Sequence, residues 1–102
     1  MVEQAELDLT PRARRRDPAT SRDAAQAARR AAASHRARIL AALEAAGSLG
    51  ATYVELAGAT GLEPVAVNRR LCELRRMGVA MRLDVTRPTP SGNRAHVYRA
   101  VP

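Results

Sequence analysis

Between Pro64 and Met77 the chain reads PVAVNRRLCELRRM, and this stretch gathers the side chains best suited to recognition chemistry: Asn68, Arg69, Arg70, Arg75 and Arg76. A guanidinium fork meets phosphate oxygens, or the O6 and N7 of guanine, two at a time, and a carboxamide pairs in the same bidentate way with adenine. Covalent chemistry has no comparable set. No nucleophile with its base, no carboxylate pair and no glycine-rich phosphate cradle can be assembled, so an enzyme is not expected. The single Cys72 excludes an internal disulfide, and with only His35 and His96 beside it there is no zinc spacing; neither a metal nor another cofactor is expected. Arg69 and Arg76 near Cys72 would favour a thiolate and a redox switch, but without a resolving cysteine the plainer reading is a partly covered small apolar residue.

Charge says what kind of surface these donors face. Seventeen arginines against ten acids give +7, with no lysine. A small basic chain points to a polyanion, with nucleic acid the first expectation and an acidic membrane surface the rival. No apolar run reaches the roughly 18 residues of a membrane span and no signal peptide opens the chain, so a cytoplasmic location is expected. The charge is unevenly spread. Residues 1–34 carry seven arginines and five acids, and residues 35–63 two arginines and three acids; residues 64–102 carry eight arginines against Glu73 and Asp84, a net +6. Only two aromatics, Tyr53 and Tyr98, are present, so the core must be thin and built from Ala, Leu, Val, Ile and Met.

The elements that must hold Pro64–Met77 follow from pattern. Residues 1–19 have mixed charge and no apolar period and read as a disordered tail. Its Arg12, Arg14, Arg15 and Arg16 could follow phosphates, but neighbouring acids favour a solvated tail. Thr20 or Ser21 is placed to cap an Ala/Arg-rich helix over 20–34, which either stops at Ser34 or runs on into the next. His35–Ala46 carries Ile39, Leu40 and Leu43 at helical spacing, and Gly47 ends it. A two- or three-residue strand is expected around Leu49–Ala51.

Thr52-x-x-Glu55 is a capping box for a short helix that stops at Gly61, and Pro64 suits the first position of the helix that follows. From Val79 the period changes to two: Val79, Met81, Leu83 and Val85 are expected to form the buried face of a strand. Residues 87–94, with two prolines and Gly-Asn, read as a loop, and residues 95–101 as the returning strand. The fold class is mainly α with a small β-hairpin, α+β. Helix, helix, helix, hairpin in this order describes a winged helix-turn-helix over 35–102.

On a helical wheel of about 100° per residue, Val67, Leu71 and Leu74 fall together as the buried seam, while Val65, Arg69, Cys72 and Arg76 fall opposite. Ala66 borders that outer side and Asn68 and Arg70 flank it. Small residues first and donors further along are what a helix entering a major groove requires. Arg69 and Asn68 are expected to face bases, and Arg70, Arg75 and Arg76 phosphates. Arg87 and Arg94, on the loop after the same helix, are placed where a wing touches the minor groove or backbone. An ordinary solvated arginine surface is the alternative for any one of these residues.

The stretch Leu56-Ala57, Thr60-Gly61-Leu62, Val67, Arg69-Arg70-Leu71, Glu73-Leu74 and Gly78-Val79 resembles the winged helix-turn-helix of MarR-like bacterial regulators. The ending TRPTPSGNRAHVYRAV, with TSRDAA near residue 20, resembles small winged-helix proteins of actinobacterial phages and prophages. Ala66 stands where that pattern has a polar residue, and Asn93 where it has a basic one. The resemblance implies sequence-specific binding of double-stranded DNA in transcription regulation. A DNA-bending factor for recombination and a winged-helix protein-interaction module without DNA are the alternatives. A homodimer is expected, since one short helix reads few base pairs, with Ala24, Ala28 and Ala31, and Ile39 nearby, as its interface. No small-molecule ligand is evident.

Overall fold

Alanine density, with no proline or glycine between Pro18 and Gly47, determines the first element of the computed structural model, which describes residues 18–102. Helix α1 (Pro18–Ala46) runs unbroken. Ser34 does not interrupt it, because one serine among strong helix formers costs only a fraction of a kcal/mol. Pro18 already lies within the helix, so Thr20 and Ser21 are interior residues rather than caps; residues 1–17 of the expected tail, with Arg12–Arg16, lie outside the described residues. The chain divides into two units, one ending at Ala31 and one spanning Ala32–Pro102. In the first, every residue from Ser21 to Ala31 is exposed.

In the second unit a 3-10 turn (Gly47–Leu49) leads to α2 (Tyr53–Thr60), α3 (Pro64–Arg76), and an antiparallel pair, β1 (Ala80–Pro88) and β2 (Arg94–Ala100). Three α-helices followed by a two-stranded hairpin make it mainly α with a small β element. In place of the expected strand at Leu49–Ala51 there is the 3-10 turn and one bridge, with Ala51 and Tyr98 exchanging both backbone hydrogen bonds at 2.8 Å. Gly50 makes this possible. Its φ is +70°, and a Cβ there would lie 2.5 Å from the Tyr98 carbonyl oxygen and 2.6 Å from Val97 Cγ1.

The core draws Ile39 and Leu43 from α1, Leu56 from α2, and Val67, Leu71 and Leu74 from α3, closed by Ala51 and Ala80. Ile39 is fully buried there. It is therefore unavailable to the dimer surface suggested by its sequence position, because its helical spacing with Leu43 serves the core.

Local chemistry determines the join between α2 and α3. The Glu55 amide donates to Thr52 Oγ1 at 3.2 Å and the Thr52 amide donates to Glu55 Oε1 at 2.8 Å, the reciprocal capping box that its sequence predicts. Gly61 closes α2 in the left-handed conformation, φ +76°, with its amide on the Ala57 carbonyl. Pro64 then opens α3, where its missing amide has no helical partner to lose.

The hairpin departs from its sequence pattern. Strand β1 reaches Pro88 and β2 begins at Arg94, so the loop shrinks to residues 89–93. It is tied internally: the Thr89 amide and hydroxyl both donate to the Asn93 carbonyl, at 2.7 and 2.9 Å. The alternating face of β1 also fails. Ala80 is buried, whereas Met81 and Val85 are 40 and 55% exposed. Between the pairs Arg82↔Tyr98 and Thr86↔His96, β1 has three residues and β2 only Val97, so the register slips and the alternation is lost. Val97 and Ala95 of β2 supply the buried side instead.

Candidate functional site

Helix α3 divides as its spacing predicts. Val67, Leu71 and Leu74 are buried, and Val65, Asn68, Arg69, Cys72, Arg75 and Arg76 are exposed, with Ala66 half-covered. These exposed residues recur at i, i+3, i+4, i+7, i+10 and i+11 and so form one continuous stripe. It begins with an uncharged end and becomes cationic further on. Arg69, Arg75 and Arg76 take part in none of the ion pairs among the described residues.

Arg70, expected to face phosphate, is paired within the chain. Its side chain is only 12% exposed and its Nη2 lies 3.0 Å from Glu73 Oε2, while Arg36 Nη1 of α1 reaches Glu73 Oε1 at 2.8 Å. Glu73 thus sits between two guanidinium groups and fastens α3 to α1. The hydrogen bond from Arg36 holds its carboxyl below the ordinary 4.5; partial burial opposes this, and the charges of Arg70, Arg36 and Arg76 assist it. Arg38 of α1 donates to the Thr60 carbonyl at the end of α2.

The hairpin arginines are likewise occupied. Arg87 Nη2 donates to the carbonyls of Leu49 and Gly50 at 2.9 and 3.0 Å, and its Nη1 lies 3.5 Å from Glu55 Oε2. One guanidinium joins β1 to the 3-10 turn and to the carboxylate that caps α2. Arg94 folds across the strand pair, donating through Nε to Thr86 Oγ1 at 2.8 Å and through Nη2 to the Thr86 carbonyl at 2.7 Å. Both residues stand in paired strands rather than on the loop. The loop, Thr89 to Asn93, has no charged residue.

Sequence reading missed Arg82. It follows the end of α3 on β1, is exposed, and with Cys72, Arg75, Arg76, Ala80 and Met81 lines a groove of ≈ 500 Å³. Its place in an apparently alternating strand disguised it; the +6 excess of this part of the chain was the available signal. The groove brings three guanidinium groups to the C-terminal half of α3. By contrast, the groove beside the helix N-terminus, ≈ 250 Å³, is lined by Tyr53, Val54, Pro64, Thr89, Pro90 and Ser91 and has no charge. A third groove of ≈ 350 Å³, lined by Ser48, Leu49, Leu83, Val85, Arg87 and Val97, is mostly apolar.

Cys72 is exposed on the stripe. His96 is exposed, with Nδ1 3.2 Å from the Leu83 carbonyl. Among the described residues no three of His, Cys, Asp and Glu converge as a metal site would require, and no helix is long and apolar enough to cross a membrane. Compared with known protein families and with curated proteins, the sequence matches none.

Proposed function

We propose that the chain is a winged-helix protein that binds double-stranded DNA, with α3 in the major groove and the hairpin beside it, acting as a regulator of transcription. The observation that carries this is the exposed stripe of α3, whose Arg69, Arg75 and Arg76 continue into Arg82 on β1. An unpaired guanidinium costs little in water and gains most against a polyanion, where each phosphate contact releases counterions. Asn68 and Arg69 are the base readers in this reading; Arg75, Arg76 and Arg82 hold phosphate. Arg70, Arg87 and Arg94 contribute scaffold, and Val65 and Ala66 allow close approach. The role is one of binding rather than catalysis.

A regulator with one short reading helix gains specificity by pairing half-sites. Ala24, Ala28 and Ala31 lie on one side of an exposed helical segment and form the proposed dimer contact. A monomeric mass in sedimentation at tens of micromolar would remove that part.

Titration of labelled duplex at 50 and 200 mM salt tests the main reading. Binding tighter than about 10 μM at the lower salt, weakening steeply at the higher, is the expected result. Salt-insensitive binding, or none in that range, overturns it. A protein-docking module is the second reading, favoured by the apolar groove at Leu49 and Val85, which are 75 and 55% exposed. A partner retained after nuclease treatment, together with failed duplex titration, would establish that reading instead.

A further inference from the structure

We propose that Val65 reads the C5-methyl group of a thymine next to the base pair faced by Asn68 and Arg69. This rests on the DNA-binding reading above and names part of the sequence that such a site must contain. Val65 is 71% exposed, so core packing gives no reason for a branched apolar side chain at that position. Asn68 and Arg69 stand three and four residues further along and are exposed on the same stripe. With a rise of about 1.5 Å per residue, Val65 and Arg69 are separated by about 6 Å along the axis. That is less than two base-pair steps of about 3.4 Å each.

The chemistry at this end of α3 is selective by what it lacks. Pro64 has no amide hydrogen, Val65 and Ala66 have no side-chain donor, and the adjoining groove is uncharged. The arginines that would seek phosphates lie at the other end, and the exposed carboxylate of Glu63 at the N-cap is repelled by phosphates, so no group at the N-terminal end is held on the backbone. In the major groove thymine alone presents an apolar group, its methyl, and an exposed isopropyl group gains by covering it. A β-branched side chain in a helix is confined largely to one χ1 rotamer, so little freedom is lost on contact.

The test uses the full chain and a duplex selected from a random pool. Each thymine is replaced in turn by deoxyuridine, which lacks only the methyl, and affinity is read by fluorescence anisotropy. One thymine per half-site should show about a fourfold loss, the worth of one buried methyl. In Val65→Ala the same replacement should become neutral, with melting temperature unchanged or slightly raised, because the position is exposed and alanine is the stronger helix former. Neutral replacement everywhere, a penalty that persists in Val65→Ala, or a selected site without thymine overturns the assignment while leaving DNA binding intact. Failure to bind any duplex removes the DNA-binding reading and the assignment with it.

Discussion

Two groups of arginines, on α3 and in the hairpin, have the same side chain and opposite circumstances. Arg69, Arg75 and Arg76 are exposed and outside every ion pair among the described residues, whereas Arg87 and Arg94 together make four hydrogen bonds to backbone or hydroxyl oxygens of their own chain. The difference lies in what surrounds each residue. A helix satisfies its own backbone and leaves its outer side chains without local carbonyls to bind. The 3-10 turn, the Gly50 that follows it and the irregular strand β1 present the carbonyls of Leu49, Gly50 and Thr86, and Arg87 and Arg94 donate to them. Positive charge marks a surface for a partner only where the fold has not already used it.

The largest effect is expected from emptying the groove at the C-terminal half of α3. The triple variant Arg75→Ala, Arg76→Ala, Arg82→Ala should flatten the log–log salt dependence of DNA binding by about 3, one per lost phosphate contact, with a melting temperature close to wild type. A large loss of stability instead would make these residues scaffold as well.

Next in size is Gly50→Ala. The new Cβ meets the Tyr98 carbonyl at a φ of +70°, so unfolding free energy should fall by about 1–3 kcal/mol in denaturant titration. A neutral outcome would mean that the bridge to β2 does not position the hairpin.

Arg87→Ala should cost about 1 kcal/mol of stability, reduced by its partial exposure, and should leave the salt dependence of DNA binding unchanged. A drop in that slope near 1 would return Arg87 to the proposed DNA surface and erase the difference between the two groups.

The smallest effect concerns Glu73, which pairs with Arg70, whereas Arg69, Arg75 and Arg76 take part in no ion pair among the described residues. Its carboxyl titrates lower in the folded protein than in the unfolded chain. Its contribution to stability is therefore complete above the ordinary value of 4.5 and is lost as pH falls through the lower folded value. Thermal melts should show wild type losing stability below pH 4.5 more steeply than Glu73→Gln. Parallel acid limbs would mean that the Arg36–Glu73–Arg70 cluster is not coupled to folding.

How much of this was legible depended on how far apart the interacting residues lie. The capping box joins Thr52 and Glu55 within one turn, and the buried seam of α3 is a property of its own spacing; both stand in the structure as their residues predict. The same helical wheel put Arg70 on a flank, but its partner's second contact is Arg36, on another helix. Arg87 looked like a loop residue because prolines follow it, while its acceptors belong to the turn after α1. The period-two pattern of β1 was real in sequence and failed in space, because the opposing strand has fewer residues between the same two pairs.

Sequence alone determined where helices begin and end after Thr52, which side of α3 is apolar, and that the basic excess lies beyond residue 63, since these depend on propensity, caps and composition within a few residues. Tertiary structure decided which arginines remain available. Glu73, Glu55 and the carbonyls of Leu49 and Gly50 reach their guanidinium partners only when distant segments pack together, and each such contact removes a charge from the surface that the sequence had seemed to offer.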